Sequence, residues 1–150
     1  MNTATQLLAG GSIVVADQAS KLSTSATSCG TRLCPVRNDA LMLGISHGPT
    51  TQVLVIGLAG LLVFCLWART ISRRAELAPL AVVAVVAGIV SNLVDRVLFG
   101  SVRDFFVIPG DVAINIADLA VTVGLLICAA AAAHSITIPF HNNHQGGETT

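Results

Sequence analysis

Residues 77–96 read Leu77-Ala-Pro-Leu-Ala-Val-Val-Ala-Val-Val-Ala-Gly-Ile-Val-Ser-Asn-Leu-Val-Asp-Arg96, and this stretch decides the class of the chain. From Leu77 to Val94 no side chain is charged, and Asp95 and Arg96 then follow directly. Pro79 suits the first turn of a helix, where its missing N–H leaves nothing unpaired. At about 1.5 Å of rise per residue such a run approaches the roughly 30 Å of a bilayer's hydrocarbon core. Three further apolar segments lie outward of it: Val53 to Ala68 with Trp67 near its end, Val112 to Ala133, and the shorter Leu7 to Ala16. The first of these in chain order is marginal, since spanning helices use about 17 to 25 residues. It must recruit Thr3, Thr5 and Gln6 at one end or Asp17 at the other.

The whole composition agrees. Of 150 residues, 53% are apolar and only 11% charged, against about 25% charged in ordinary globular chains. Mean hydropathy is +0.78. The expectation is an all-α integral membrane protein: four transmembrane helices over residues 3–21, 51–68, 77–97 and 112–133, in one domain spanning 1–133. A polar tail follows from 134 to 150, whose three histidines read as a solvated end rather than a metal site. No Lys or Arg precedes Leu7, so the first segment reads as a span rather than a cleaved leader. Net charge is zero with no basic stripe, so no nucleic-acid partner is expected.

Charge leaves the topology open. Arg69-Thr-Ile-Ser-Arg-Arg-Ala-Glu76 concentrates three arginines in a short link, which reads as cytoplasmic. Yet Lys21, Arg32, Arg37, Arg96 and Arg103 would then all fall on the other side. Cys65 and Cys128 sit in apolar runs as small core residues. Cys29 and Cys34 could form a local disulfide in an oxidising compartment or remain two thiols, and no second ligand pair makes them a zinc site.

The ionisable residues are not scattered. Asp17 and Lys21 share a helix face at i, i+4, with Gln18 and Ser20 beside them; Asn92, Asp95 and Arg96 share another at i, i+3, i+4; Asn115 and Asp118 open the last span at i, i+3. Alternating spans bring these ends to one rim, with Phe99 to Phe106 between them. Charges in spans are costly and usually mark interior sites. Taken singly, each has a structural reading too: Asp95 beside Arg96 as an ion pair, Asp111 as an N-cap. The cluster has no His or Cys for nucleophilic catalysis and no phosphate loop. It calls for no metal and no cofactor. Two nearby carboxylates sharing a proton are the economical chemistry: one takes a proton from water while the other polarises a carbonyl. Asp118 lies in the first turn of its helix, where the dipole favours the anion.

These residues carry a resemblance. Ser91-Asn-Leu-Val-Asp-Arg-Val-Leu-Phe-Gly-Ser-Val-Arg-Asp-Phe105, then Ala113-Ile-Asn-Ile-Ala-Asp118, resembles the paired motifs of lipoprotein signal peptidase (signal peptidase II): N-x-x-D-R-x-x-x-G-x-V-x-D-F followed by F-N-x-A-D. Asp17-Gln-Ala-Ser-Lys21 is similar to the family's D-Q-x-S/T-K, and Arg37-Asn-Asp-Ala-Leu-Met-Leu-Gly44 more loosely to N-x-G-x-A-F-G. The resemblance implies a four-helix membrane aspartyl endopeptidase that removes the signal peptide of diacylglyceryl-modified bacterial prolipoproteins. It assigns the catalytic pair to Asp104 and Asp118. Asp17, Lys21, Asn38, Asn92, Asp95, Arg96 and Asn115 become supporting or substrate-lining residues. It also implies a plasma-membrane location, cytoplasmic termini and a site at the outer face, which resolves the topology. Lipid-modified precursors and the bilayer are the implied partners. The small residues Ala84, Gly88, Gly57 and Gly60 allow close helix contacts within one bundle, so a monomer is expected.

There are departures. Ala40 replaces the family's Gly, Met42-Leu43 stand for Ala-Phe, and Ala113-Ile114 stand where an aromatic is usual. The stretch between Lys21 and Asn38, which in the family forms a β-structured cradle over the substrate, is short and Ser/Thr-rich; a Cys29–Cys34 bridge would stiffen it. This bears on substrate range more than on the aspartates. Two other classes compete: a catalytically silent relative that binds lipoproteins or partner helices, and a small ion-coupled carrier. The carrier reading lacks the internal repeat and broken helices that carriers show.

Overall fold

Asn2 caps the first helix: its Oδ1 accepts from the Thr5 backbone N–H at 2.8 Å, the usual way an orphan helical N–H is satisfied. Helix α1 then runs Thr3–Thr24. The computed structural model describes residues 2–25, 29–30, 32–39, 50–71, 78–109 and 112–136. Strand β1 is Leu33–Asn38, α2 Thr50–Ile71, α3 Ala78–Phe99, β2 Val102–Ile108, β3 Val112–Ile114 and α4 Ile116–Ile136.

Four helices are present as expected, and three of them, α2, α3 and α4, are long and apolar enough to cross a membrane. Among the described residues the chain is mostly helical, with a small sheet beside the helices. Its three strands form one antiparallel sheet in the order β1-β2-β3. The largest revision concerns residues 112–114. The apolar character of 112–133 suggests a helix from 112, but Val112, Ala113 and Ile114 pair with Ile108, Val107 and Phe106. The helix waits for its cap at Asn115, whose Oδ1 accepts from the Asp118 N–H at 2.9 Å while the Asp118 carboxylate accepts from the Asn115 N–H at 3.2 Å. This is a capping box. The cap reading of Asp111 falls on a residue outside the described ones, as do residues 40–49, the arginines at 73 and 74, and the end of the polar tail from 137.

Helix α3 is central, and α4 lies closest to it. A Cβ added at Gly88 would stand 2.5 Å from the Ala117 carbonyl oxygen, and one at Gly124 2.7 Å from the Ala81 carbonyl oxygen. The two backbones therefore touch where side chains would part them, the packing mode of membrane helices. Gly60 meets nothing within 4 Å, whereas Gly57 faces the Leu93 side chain. Leu7, Leu8, Leu58, Leu62 and Leu126 point outward and are more than half exposed, a surface suited to lipid rather than water. After α3 the chain reverses at Gly100, whose φ of +76° is the left-handed geometry glycine adopts freely. That turn delivers β2, and with it Asp104, back over the end of the bundle. Cys29 and Cys34 are bridged at the start of β1.

Candidate active site at the end of the bundle

Two polar groups share the end of the bundle. The inner one is centred on Lys21, in the last turn of α1 and 1% exposed. Its ammonium meets Asp17 at 2.6 Å, Asp95 at 3.0 Å and the Asn92 Oδ1 at 2.9 Å, so all three of its donors are used. Asp17 also accepts from the Ser91 hydroxyl at 2.7 Å and from the Ala117 backbone N–H at 2.9 Å. A carboxylate from α1 thus satisfies a first-turn donor of α4. Asp95 accepts from the Arg103 guanidinium at 2.8 Å, from the Arg103 N–H at 3.1 Å and from Gln18 at 3.1 Å. Arg103 further donates to Gln18 Oε1 at 2.7 Å and lies over the Phe99 ring.

The outer group holds Asp104 and Asp118. Asp104, buried on the central strand, accepts from Asn38 Nδ2 at 2.9 Å through one oxygen and from Asn115 Nδ2 at 2.6 Å through the other. Pairing of Val36 with Asp104 and of Asn38 with Val102 puts Asn38 and Asp104 on the same side of the sheet. Asp118, half-buried, accepts from Asn92 Nδ2 at 2.9 Å and from the Asn115 N–H. Asn115 therefore donates to both carboxylates. Burial pushes the Asp104 carboxyl up from its ordinary 3.8 to about 6; Asn38 opposes the shift, and the charge of Asp118 adds to it.

Asn92, Arg96 and Asp118 form the polar end of an otherwise apolar groove of about 240 Å³. Ile56, Gly57 and Leu61 of α2 face Ile89, Leu93 and Val121 across it. All of the residues singled out from sequence gather at this end, but they divide. Asp17, Lys21 and Asp95 lie sealed inside, whereas Asn92, Arg96 and Asp118 reach the groove. Three partners were passed over in the sequence: Ser91 and Arg103, and Gln18 beyond its place beside Asp17. The contacts that Gln18 makes with Ser91 and Arg103 cross 73 and 85 positions of the chain, and only the polarity of Gln18 and Ser91 in or beside apolar runs hinted at them.

Comparison with known proteins gives the geometry its context. The family model for signal peptidase (SPase) II matches residues 10–134. The chain belongs to the signal peptidase II family. It is 35% identical over 86 residues to a lipoprotein signal peptidase of Acinetobacter baylyi, covering 53% of this chain and 48% of that protein. It is 44% identical over 80 residues to one from Syntrophus aciditrophicus, covering 51% and 48%. The chain thus spans about half the length of the curated relatives it matches. Two solved bacterial membrane enzymes, determined by the in meso method at 2.3 and 1.9 Å, share its fold. The first has a TM-score of 0.74 at 21% identity over 97% of this chain and 96% of that one. The second has 0.66 at 21% over 91% and 94%. Family and apolar helices together make this a bacterial membrane protein of the signal peptidase II family.

Proposed function

We propose that this chain is a membrane aspartyl endopeptidase that cleaves the signal peptide from diacylglyceryl-modified prolipoproteins, with Asp104 and Asp118 activating water. The observation that carries the reading is Asn115, which donates to both carboxylates at once and so holds them around one small volume. Asp118, in the first turn of α4 and supplied with two N–H donors, is the ionised member. Asp104, whose carboxyl burial raises to about 6 so that it holds a proton far above the ordinary carboxylate range, is the acid. Asp118 takes a proton from water as its oxygen attacks the scissile carbonyl carbon, and Asp104 gives its proton to the carbonyl oxygen. Collapse of the tetrahedral intermediate returns a proton to Asp104. The leaving nitrogen takes the other from Asp118 as the C–N bond breaks.

The apolar groove ending at Asp118 suits the apolar stretch of a signal peptide entering from the bilayer. Asn92 and Arg96 would then contact substrate, and Asn38 would hold Asp104 from the cradle strand. In this reading α1 is the fourth span, about 33 Å long at 1.5 Å per residue. Both termini are cytoplasmic, the sheet lies at the outer face and the protein works as a monomer. The test is incubation of the purified protein with a diacylglyceryl-modified precursor. A product shorter by the signal peptide is expected; an intact precursor, with a known peptidase cleaving it in parallel, refutes the reading.

A further inference from the structure

The Lys21 ammonium is buried out of reach of any substrate in the groove, yet its third donor leaves the ionic cluster and ends on Asn92. A carboxamide is nearly symmetric in shape, so its orientation is fixed by what its two ends meet. Asn92 Oδ1 accepts from Lys21 at 2.9 Å and from Asn115 Nδ2 at 3.1 Å, and Asn92 Nδ2 donates to Asp118. Turned over, Asn92 would set its N–H groups against an ammonium and a second amide, and its oxygen against a carboxylate. A lysine has donors only, so the chain of hydrogen bonds starting from it has one sense. Asn92 must donate outward to Asp118; Asn115, whose own oxygen is held by the Asp118 N–H, points its N–H groups at Asn92 and Asp104.

Building on the peptidase reading, we infer that Lys21 is a positioning residue: it sets the direction of the Asn92 carboxamide, and through it supplies the donor that holds Asp118 and the acceptor that steadies the Asn115 amide beside Asp104. The charged groups around this relay come from two helices and a strand. Asp17 of α1 and Asp95 of α3 face the ammonium. Arg96 of α3 acts through space on Asp95, Asp104 and Asp118, and Arg103 of β2 binds Asp95. Lys21 is the group that joins the ionic cluster to the amides. Its removal leaves the Asn92 oxygen without its cationic donor and takes a positive charge from beside the dyad. The singly protonated pair then persists to higher pH.

The test is cleavage of a diacylglyceryl-modified precursor by the full chain in detergent, with kcat and KM followed against pH. The variants are Lys21→Met and the double Lys21→Met/Asp95→Asn, the second removing one charge of each sign so that the bundle stays balanced. A fall in kcat of about 100-fold is expected, the scale of a small misplacement of catalytic groups. KM should stay within about threefold, because Lys21 touches no substrate, and in Lys21→Met, which loses the positive charge alone, the optimum should move upward by about one pH unit. A folded double variant with wild-type kcat overturns the inference, and so does one that cannot fold, which would assign Lys21 to holding the bundle alone. If the wild type itself cleaves nothing, it is the peptidase reading that fails.

Discussion

The two polar groups at the end of the bundle hold carboxylates in opposite ways. Asp17 and Asp95 meet an ammonium and a guanidinium at 2.6 to 3.0 Å. Asp104 and Asp118, a few side chains away, take N–H groups from Asn38, Asn92 and Asn115. A cation at contact distance meets a buried carboxylate with a full opposite charge, and breaking such a pair is costly. Neutral amides favour the anion only weakly, so burial outweighs Asn38 and Asn115 and pushes Asp104 upward. The inner group ties helices together, and the outer group is left able to exchange protons.

Breaking each group in turn sharpens the contrast. The largest effect is expected from Asp104→Asn or Asp118→Asn. Each should lower precursor cleavage by at least about 1,000-fold, as losses of paired catalytic groups do, while the melting temperature in detergent moves little. Full activity in either variant counts against the pair. Asp95→Leu should do the reverse at the level of stability. It strips Lys21 and Arg103 of a shared buried partner and should lower the unfolding free energy by about 3–5 kcal/mol, read from denaturant melts. A melt unchanged by Asp95→Leu would show that the inner group does not hold the bundle.

Smaller still is the effect of pH on the wild type. Asp104 has its carboxyl raised in the folded protein, so it binds its proton more tightly there than in the unfolded chain. Its contribution is fully present below the ordinary 3.8 and is lost as pH rises through about 6. The gap corresponds to roughly 3 kcal/mol. Melting curves should show wild type losing that much relative to Asp104→Asn between pH 4 and pH 8; parallel curves would mean that Asp104 is an ordinary carboxyl.

How much of this could be read from the chain follows from the range of the contacts. The faces made by Asp17 with Lys21, and by Asn92 with Asp95 and Arg96, follow from the helical repeat, and the structure keeps them. Residues 112–114 misled because an apolar run that continues into a helix carries no local sign of its strand pairing. The spacing of Asn115 and Asp118, an acceptor three residues before a carboxylate, could have marked the true start as a capping box. The central place of β2 was not legible, since its partners are β1, some seventy positions earlier, and the short β3. Nor was the link from Lys21 to Asn92, 71 positions away, which needs both helices packed before either side chain has a partner.

The proton on Asp104 tests the contrast most directly, and infrared difference spectra of the full protein between pH 4 and pH 8 can follow it. A protonated-carboxyl band that disappears with a midpoint near pH 6, and that is missing in Asp104→Asn, is the predicted result. A band that titrates near 4, or one that survives unchanged in the variant, would contradict the assignment of Asp104 as the carboxyl that holds its proton.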